Sequence, residues 1–293
     1  MELKGLIHSV DLKCKTISIV HNRTLKFFYF QNNLMKKFKK YLYAGHCISL
    51  VAEDSKEAKA NRYVHTVIYV NEIFIPTING RKFLYNKEMI NRSLIEFFDS
   101  LNYKLFIDLE MTMPGYNSSN FVSEIIQAGF FIVNKKGEIV EKYNYHIRPT
   151  KIVRINRRTR DFLHLTNEDL RNSVSYYKFY NKFKQLLIKY KPAILTFGKN
   201  DKLFLERSYN INELPSLNYI SRYINLAQLI KNYYELKIDP GLFNLYEQYT
   251  GINNVQTHDA LEDAIITYDI YRFFINDMKG KTQKEGELLR ISG

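Results

Sequence analysis

The sequence predicts an α/β protein in which a mixed sheet flanked by helices is preceded by a small all-β domain. Three observations carry this. Residues 1 to 75 hold five short strand-like runs and a single helical stretch. From Tyr103 onward, a strand and a hairpin give way to alternating helical and strand-like segments, the pattern of a sheet covered by helices. The chain of 293 residues also has room for two domains.

In the first 75 residues, KGLIHSVDL, KTISIVHN and TLKFFYF read as strands with turn residues between them. NNLMKKFKKYLYAGH follows as a helix that Asn33 can cap and Gly45 can end, with Leu34, Phe38 and Leu42 as its apolar stripe. CISLVAED and YVHTVIYVNEIFI are two further strands, separated by the charged loop DSKEAKANR. Three strands, a helix and two strands resemble the order of an OB-fold barrel. Such OB-like domains often bind single-stranded nucleic acid by stacking bases on aromatics beside basic residues. Phe27, Phe28, Tyr29 and Tyr63 are candidates for that stacking, with Lys13, Lys15 and Lys26 beside them; the competing reading places the aromatics in the barrel core. Residues 1 to 80 carry 12 basic and 6 acidic side chains, so this part alone contributes +6.

Residues 76–102 read as a linker containing Pro76 and Gly80, followed by a helix from about Lys87 to Leu101. The second domain, 103–278, opens with the strand YKLFIDLE. A hairpin follows: EIIQAGFFIVN, the turn KKGE with Gly137, then IVEKYNYHIRP. Helical periodicity covers Ser173 to Tyr190, with Val174, Tyr177, Phe183, Leu187 and Tyr190 as expected core positions. KPAILTFG reads as a buried strand, and Asp201 to Tyr209 as the start of a helix. Asn225 to Leu236, Gly241 to Tyr249 and Ala260 to Asn276 read as helices, and 279–293 as a polar, mobile tail.

Charge narrows the partner. With 43 Lys and Arg against 30 Asp and Glu, the formal charge is +13 and favours a polyanion. Five positive side chains, Lys151, Arg154, Arg157, Arg158 and Arg160, fall within ten residues and could track a phosphate backbone; a solvated basic loop is the plainer alternative. No apolar run approaches the ~18 residues of a spanning helix, and no signal peptide is expected at the start. Cys14 and Cys47 form no CxxC pair, which argues against disulfide scaffolds and zinc ribbons and fits a cytoplasmic location.

Three distant segments carry the chemistry. Asp108 and Glu110, two apart on a predicted strand, share one face and repel unless a cation sits between them. Asp201 follows the strand AILTFG, where Gly198 permits a tight exit; by itself it reads equally as an acid favoured at a helix N-terminus. His258 and Asp263 are five positions apart, so within one regular helix they would point about 140° apart. Convergence requires His258 on the lead-in and Asp263 one turn inside, with Thr257 or His258 starting the helix and small Ala260 permitting a close approach.

Taken together, Asp-x-Glu (Asp108, Glu110), Gly-x-x-Asp (Gly198, Asp201) and His-x-Ala-x-x-Asp (His258, Ala260, Asp263) resemble the three motifs of the DEDDh group of 3′-to-5′ exonucleases. That group belongs to the ribonuclease-H-like superfamily. SEIIQAGFFIVN, YNYHIRP and DFLHLTNEDL extend the likeness across about residues 103 to 276, and FIDLEMT looks closest to the RNA-trimming branch. The sequence departs from that branch at Phe197, where Trp is frequent. The resemblance implies two divalent cations, Mg2+ or Mn2+, ~3.5–4 Å apart around the scissile phosphate. It implies that Asp108 bridges both, that Glu110 and Asp263 hold the ion carrying the attacking water, and that Asp201 helps the second through its water shell. His258 would be the general base, with 5′-mononucleotides as products. Backbone groups around Met111 and Thr112 would meet the terminal ribose, and Met111, Met113 and Phe197 would line the base pocket, although core packing explains these apolar side chains equally well. The implied partner is RNA or single-stranded DNA, with RNA preferred. Two other readings are a DNA proofreading or repair exonuclease and a non-catalytic nucleic-acid-binding protein on a nuclease shell.

Overall fold

The computed structural model describes residues 1–59, 62–115, 121–234, 236, 238–252 and 258–280. It divides into two compact units, Met1–Glu96 and a second that begins at Phe97. Thr257 and the tail from residue 281 lie outside the described residues.

The first unit consists of β1 (Glu2–Asp11), β2 (Thr16–His21), β3 (Thr24–Tyr29), α1 (Asn32–Phe38), β4 (Cys47–Lys59), β5 (Arg62–Thr77) and β6 (Gly80–Asn86). The sheet runs β3-β2-β1-β4-β5-β6, and a further β3–β5 pairing closes the first five strands into a barrel. Closure removes the sheet edges that an open ladder would expose. Ile7, Ile17, Ile19, Phe28, Phe38, Ile48, Leu50 and Val70 fill the interior. The OB-like order therefore holds.

Three details differ from the sequence reading. The helix is only one and a half to two turns long, because Tyr41 N–H bonds the Phe38 carbonyl and the chain turns toward β4. Leu42 still reaches the core, but from that turn, so its i+4 spacing from Phe38 only imitates a longer helix. Within the charged stretch DSKEAKANR, Asp54 to Lys59 and Arg62 belong to strands and not to a loop. The β4–β5 ladder continues through Lys56↔His65 to Lys59↔Arg62, a polar hairpin whose backbone pairing needs no apolar face. The expected linker around Pro76 and Gly80 is the turn of a β5–β6 hairpin, in which Thr77 faces Gly80.

α2 (Lys87–Ser100) contains the division between the units. The second unit continues with β7 (Tyr103–Met111), β8 (Ile125–Asn134), β9 (Ile139–Arg148), α3 (Arg157–Leu163), α4 (Asn167–Arg171), β10 (Val174–Ser175) and α5 (Tyr176–Tyr190). β11 (Ala193–Thr196), α6 (Asn200–Ile211), β12 (Tyr223–Asn225), α7 (Leu226–Tyr234), α8 (Leu242–Thr250) and α9 (Ala260–Met278) complete it. The sheet order is β10-β9-β8-β7-β11-β12. β7, β8 and β9 are antiparallel, whereas β11 runs parallel to β7 and β12 parallel to β11. This is the mixed, helix-flanked sheet of the ribonuclease-H-like nucleases.

Alternation along β7 sorts the two faces. Leu105, Ile107 and Leu109 join Phe179, Phe183 and Leu205 in one core, while Phe106 packs against Phe131, Tyr268 and Tyr271 on the α9 side. On α5 the buried stripe is Tyr176, Phe179, Tyr180, Phe183 and Leu187, and Tyr177, expected inside, is 63% exposed. The basic stretch after β9 contains two short helices instead of a plain loop, because Ile155, Leu163, Leu165 and Leu170 cluster on Ile126 of β8.

Candidate active site

Asp108 and Glu110 lie on the same face of β7 as Phe106, the face that α9 covers. Asp108 sits opposite Gly129 and Glu110 opposite Gln127 in the β7–β8 ladder. Gly129 is what lets α9 come down here. A Cβ on it would lie 2.0 Å from Leu261 N and 2.2 Å from the Ala260 carbonyl carbon. With backbone resting on backbone, Asp263, one turn into α9, reaches the two strand acids. Ligand oxygens of Asp108, Glu110 and Asp263 all lie within 4.8 Å of one another.

Asp201 arrives from the neighbouring strand. β11 pairs with β7 as Leu195↔Phe106, so both parallel strands end at the same edge. Gly198, at φ 124°, makes the exit that a side chain would strain, and α6 then begins at Asn200. The buried Asp201 carboxylate accepts hydrogen bonds from its own N–H and from that of Leu109, between the two strand acids. All four acids therefore meet at the end of β7.

Burial, followed by mutual repulsion, makes this a hostile place for bare charge. It pushes Asp108 well above the ordinary carboxylate range, with Asp201, Asp263 and Glu110 as the repelling neighbours. Burial, then the Asp263 charge, lifts Glu110 to about 8. Burial raises Asp201 to about 7 against the pull of its two N–H donors, and raises Asp263 to about 7 with Asp259 and Glu262 assisting. Asp263 Oδ1 is buried with no hydrogen-bond partner. A cluster of hard oxygen donors, one of them orphaned, fits a divalent cation, which would supply the missing partner and permit ionisation at neutral pH.

His258 stands outside this triplet, on the lead-in to α9 with a left-handed φ of 54°. The helix starts two residues later, at Ala260, with Asp259 as its N-cap. The His258 ring lies 3.8 Å, centroid to centroid, from that of Phe162 on α3. Burial, then the charge of nearby His164, lowers its pKa and favours the neutral imidazole.

Met111 and Phe197 are half-buried beside the acids in sequence, Met111 partly packed against the sheet core. Thr112 is buried, and both its groups are engaged: its N–H donates to the Glu124 carbonyl at 2.9 Å and its hydroxyl accepts from Glu124 N–H at 2.8 Å. The backbone N–H is therefore taken up within the protein, whereas the hydroxyl keeps its own hydrogen to donate. In the barrel, Phe28 is core, which removes it from the stacking candidates. Phe27 and Tyr29 lie on the other face of β3, with Arg62 4.9 Å above Phe27 and Lys59 5.7 Å above Tyr29, and Tyr63 is 72% exposed.

Several residues escaped the sequence reading. Asp259 caps α9 through the Leu261 and Glu262 N–H groups, while Gln127 (2.7 Å) and Asn144 (3.1 Å) donate to its other oxygen. Burial works against its charge, yet these hydrogen bonds hold its pKa below the ordinary value. Glu124 is buried and accepts N–H bonds from Thr150 (2.6 Å), Lys151 (2.9 Å) and Ile152 (2.7 Å). Asn156 caps α3 and donates to the Met113 carbonyl at 2.6 Å, while Met113 N–H donates to Thr159 Oγ1 at 2.9 Å. An Asp just before a helical run is a legible cap. The partners of Asp259, Glu124 and Asn156 are legible only once strand register is known.

Comparison with known proteins agrees with this geometry. Residues 105–271 match the family model described as RNase_T, exonuclease. The chain is 28% identical over 178 residues to the "Probable 3'-5' exonuclease KapD" of Bacillus subtilis (strain 168), a match covering 60% of this chain and 86% of that protein. In fold it is similar to the nuclease domain of 3'hExo, a DEDDh family member bound to rAMP, with a TM-score of 0.53 and 21% identity over 62% of this chain and 94% of the other. A structure of histone mRNA stem-loop recognition by a 3'-exonuclease gives a TM-score of 0.52 and 21% identity, over 61% of this chain and 83% of that one. With four acids gathered at the end of β7 and more than half its length inside the family match, the chain belongs to the RNase_T exonuclease family and is a 3′-5′ exonuclease.

Proposed function

We propose that this exonuclease trims single-stranded RNA from its 3′ end, releasing 5′-mononucleotides, with two Mg2+ or Mn2+ ions held by Asp108, Glu110, Asp201 and Asp263. The observation that carries the proposal is the convergence of Asp108, Glu110 and Asp263 within 4.8 Å of one another, with Asp201 as a charged neighbour and Asp263 Oδ1 left without a partner. Bound ions would neutralise phosphate charge and make water more acidic. The chain's own part is to orient and to move a proton. Asp108, Glu110 and Asp263 present oxygens from two elements fixed by the Gly129 contact, and Asp201 is steered by the Leu109 N–H. His258, kept neutral, accepts the proton of the attacking water, and the departing 3′ oxygen takes a proton from solvent water. Met111 and Phe197 flank the terminal nucleotide, and Lys151, Arg154, Arg157, Arg158 and Arg160 track the strand behind it. The barrel adds a second contact through Phe27, Tyr29 and Tyr63 with Lys59 and Arg62.

RNA is preferred to single-stranded DNA because two fold relatives are described with a histone mRNA stem-loop and with rAMP. Matched RNA and DNA oligonucleotides labelled at the 5′ end, digested with Mg2+ and then Mn2+, test this. We expect a ladder shortening from the 3′ end, faster on RNA and absent in EDTA. Faster digestion of DNA would move the enzyme to proofreading or repair. Full activity of His258→Ala would remove the imidazole from the mechanism.

A further inference from the structure

The helix that carries the basic cluster also touches the imidazole. Thr159 and Leu163 turn into the core, whereas Phe162 is 39% exposed, and its ring is laid on His258 at 3.8 Å with an interplanar angle of 36°. Packing of α3 therefore does not require an aromatic at this position. His258 needs an external hold, because it sits on irregular backbone at φ 54° ahead of the helix. α3 is itself fixed to the acid-bearing strand: Met113, three residues beyond Glu110, bonds through its carbonyl to Asn156 and through its N–H to Thr159. A continuous chain of contacts runs from β7 through Met113, the α3 cap and Phe162 to His258.

We propose that Phe162 is a positioning residue for the reaction, setting the His258 imidazole by ring stacking so that the base is located relative to Asp108 and Glu110 through α3. This rests on the reading of His258 as general base. A ring with only two rotatable bonds loses little freedom when it is held this way, and small displacements of a catalytic group are expensive.

The test uses the full-length enzyme with Mg2+ and a 5′-labelled RNA oligonucleotide. Phe162→Ala is expected to lower kcat on the order of tenfold with KM nearly unchanged. Phe162→Tyr should restore it, and Phe162→Leu, which keeps apolar bulk without a ring, should not. In proton–carbon NMR of histidine-labelled protein, the resonance lost in His258→Ala should lie upfield from ring current, return toward its unstacked position in Phe162→Leu, and stay upfield in Phe162→Tyr. In the His258→Ala background, Phe162→Ala should cost nothing further. A rise in KM with kcat unchanged, an equal loss in the His258→Ala background, or an unmoved resonance would overturn the positioning role. Failure of the base reading looks different: His258→Ala alone keeps wild-type kcat, while the resonance shift still reports the stack.

Discussion

The four carboxylates pull against the fold in the absence of metal. Glu110 stands at about 8 and Asp201 and Asp263 at about 7, against ordinary values of 4.5 and 3.8. Raised acids bind more protons folded than unfolded, so their stabilisation is complete below about pH 4 and lost as pH rises through 7 to 8. Metal-free protein should therefore melt at progressively lower temperature from pH 5 to pH 8, and saturating Mg2+ should flatten the decline. Thermal melts in EDTA and in Mg2+ decide this; a flat EDTA series would mean the acids do not repel as described. Glu110→Gln should raise the metal-free midpoint by ~2–4 °C, the shift expected for about 1 kcal/mol in a domain of this size. The same substitution should cut exonuclease activity by ~10²-fold or more in the ladder assay. Stability and activity trade against each other at this one position.

At the scale of elements, α9 is the part that must not move. Gly129→Ala would place a methyl group within 2.3 Å of three α9 backbone atoms, where no flexible side chain can yield. The helix must lift, costing ~1–3 kcal/mol by denaturant melts and separating Asp263 from Asp108. Asp259→Ala removes the cap, at ~1–2 kcal/mol, and frees Gln127 and Asn144; Mg2+ titration should show weaker binding. Asp108, Glu110 and Asp263 could be read directly in the chain, because an i, i+2 pair on a strand and an acid one turn into a helix have fixed directions. What supports them could not. Gln127 and Asn144 converge on Asp259 only through the β7–β8–β9 register, and Gly129 looks like any strand glycine until α9 is laid over it. Polar composition concealed the β4–β5 hairpin extension, since ladder hydrogen bonds leave no trace in residue type. Basic residues likewise hid α3 and α4, whose few apolar anchors are spread from Ile155 to Leu170. Misplacing Tyr177 was an error of helical phase by one residue.

Across the whole chain, +13 of formal charge is distributed over both units, and residues 1 to 80 alone hold +6. Lys59 and Arg62, held above Tyr29 and Phe27 at the tip of the β4–β5 hairpin, are the barrel's candidates for phosphate contact. Replacing both with Ala should weaken binding of a long single strand and reduce the slope of log affinity against log salt by about 1.4, while kcat on a short oligonucleotide stays unchanged. Equilibrium binding at several salt concentrations checks it, and an unaltered slope would assign the barrel to another partner. Among the described residues no helix is long and apolar enough to cross a membrane.

Glu124 has a consequence for how a strand arrives. By collecting three consecutive amide hydrogens it turns an irregular, cation-rich stretch into a stiff ledge. The disorder such a segment would otherwise surrender on meeting a polyphosphate has already been given up during folding. Deuterium uptake at Thr150, Lys151 and Ile152 should therefore be slow even in unliganded enzyme, and Glu124→Gln should hasten it while loosening the grip on a single-stranded oligonucleotide.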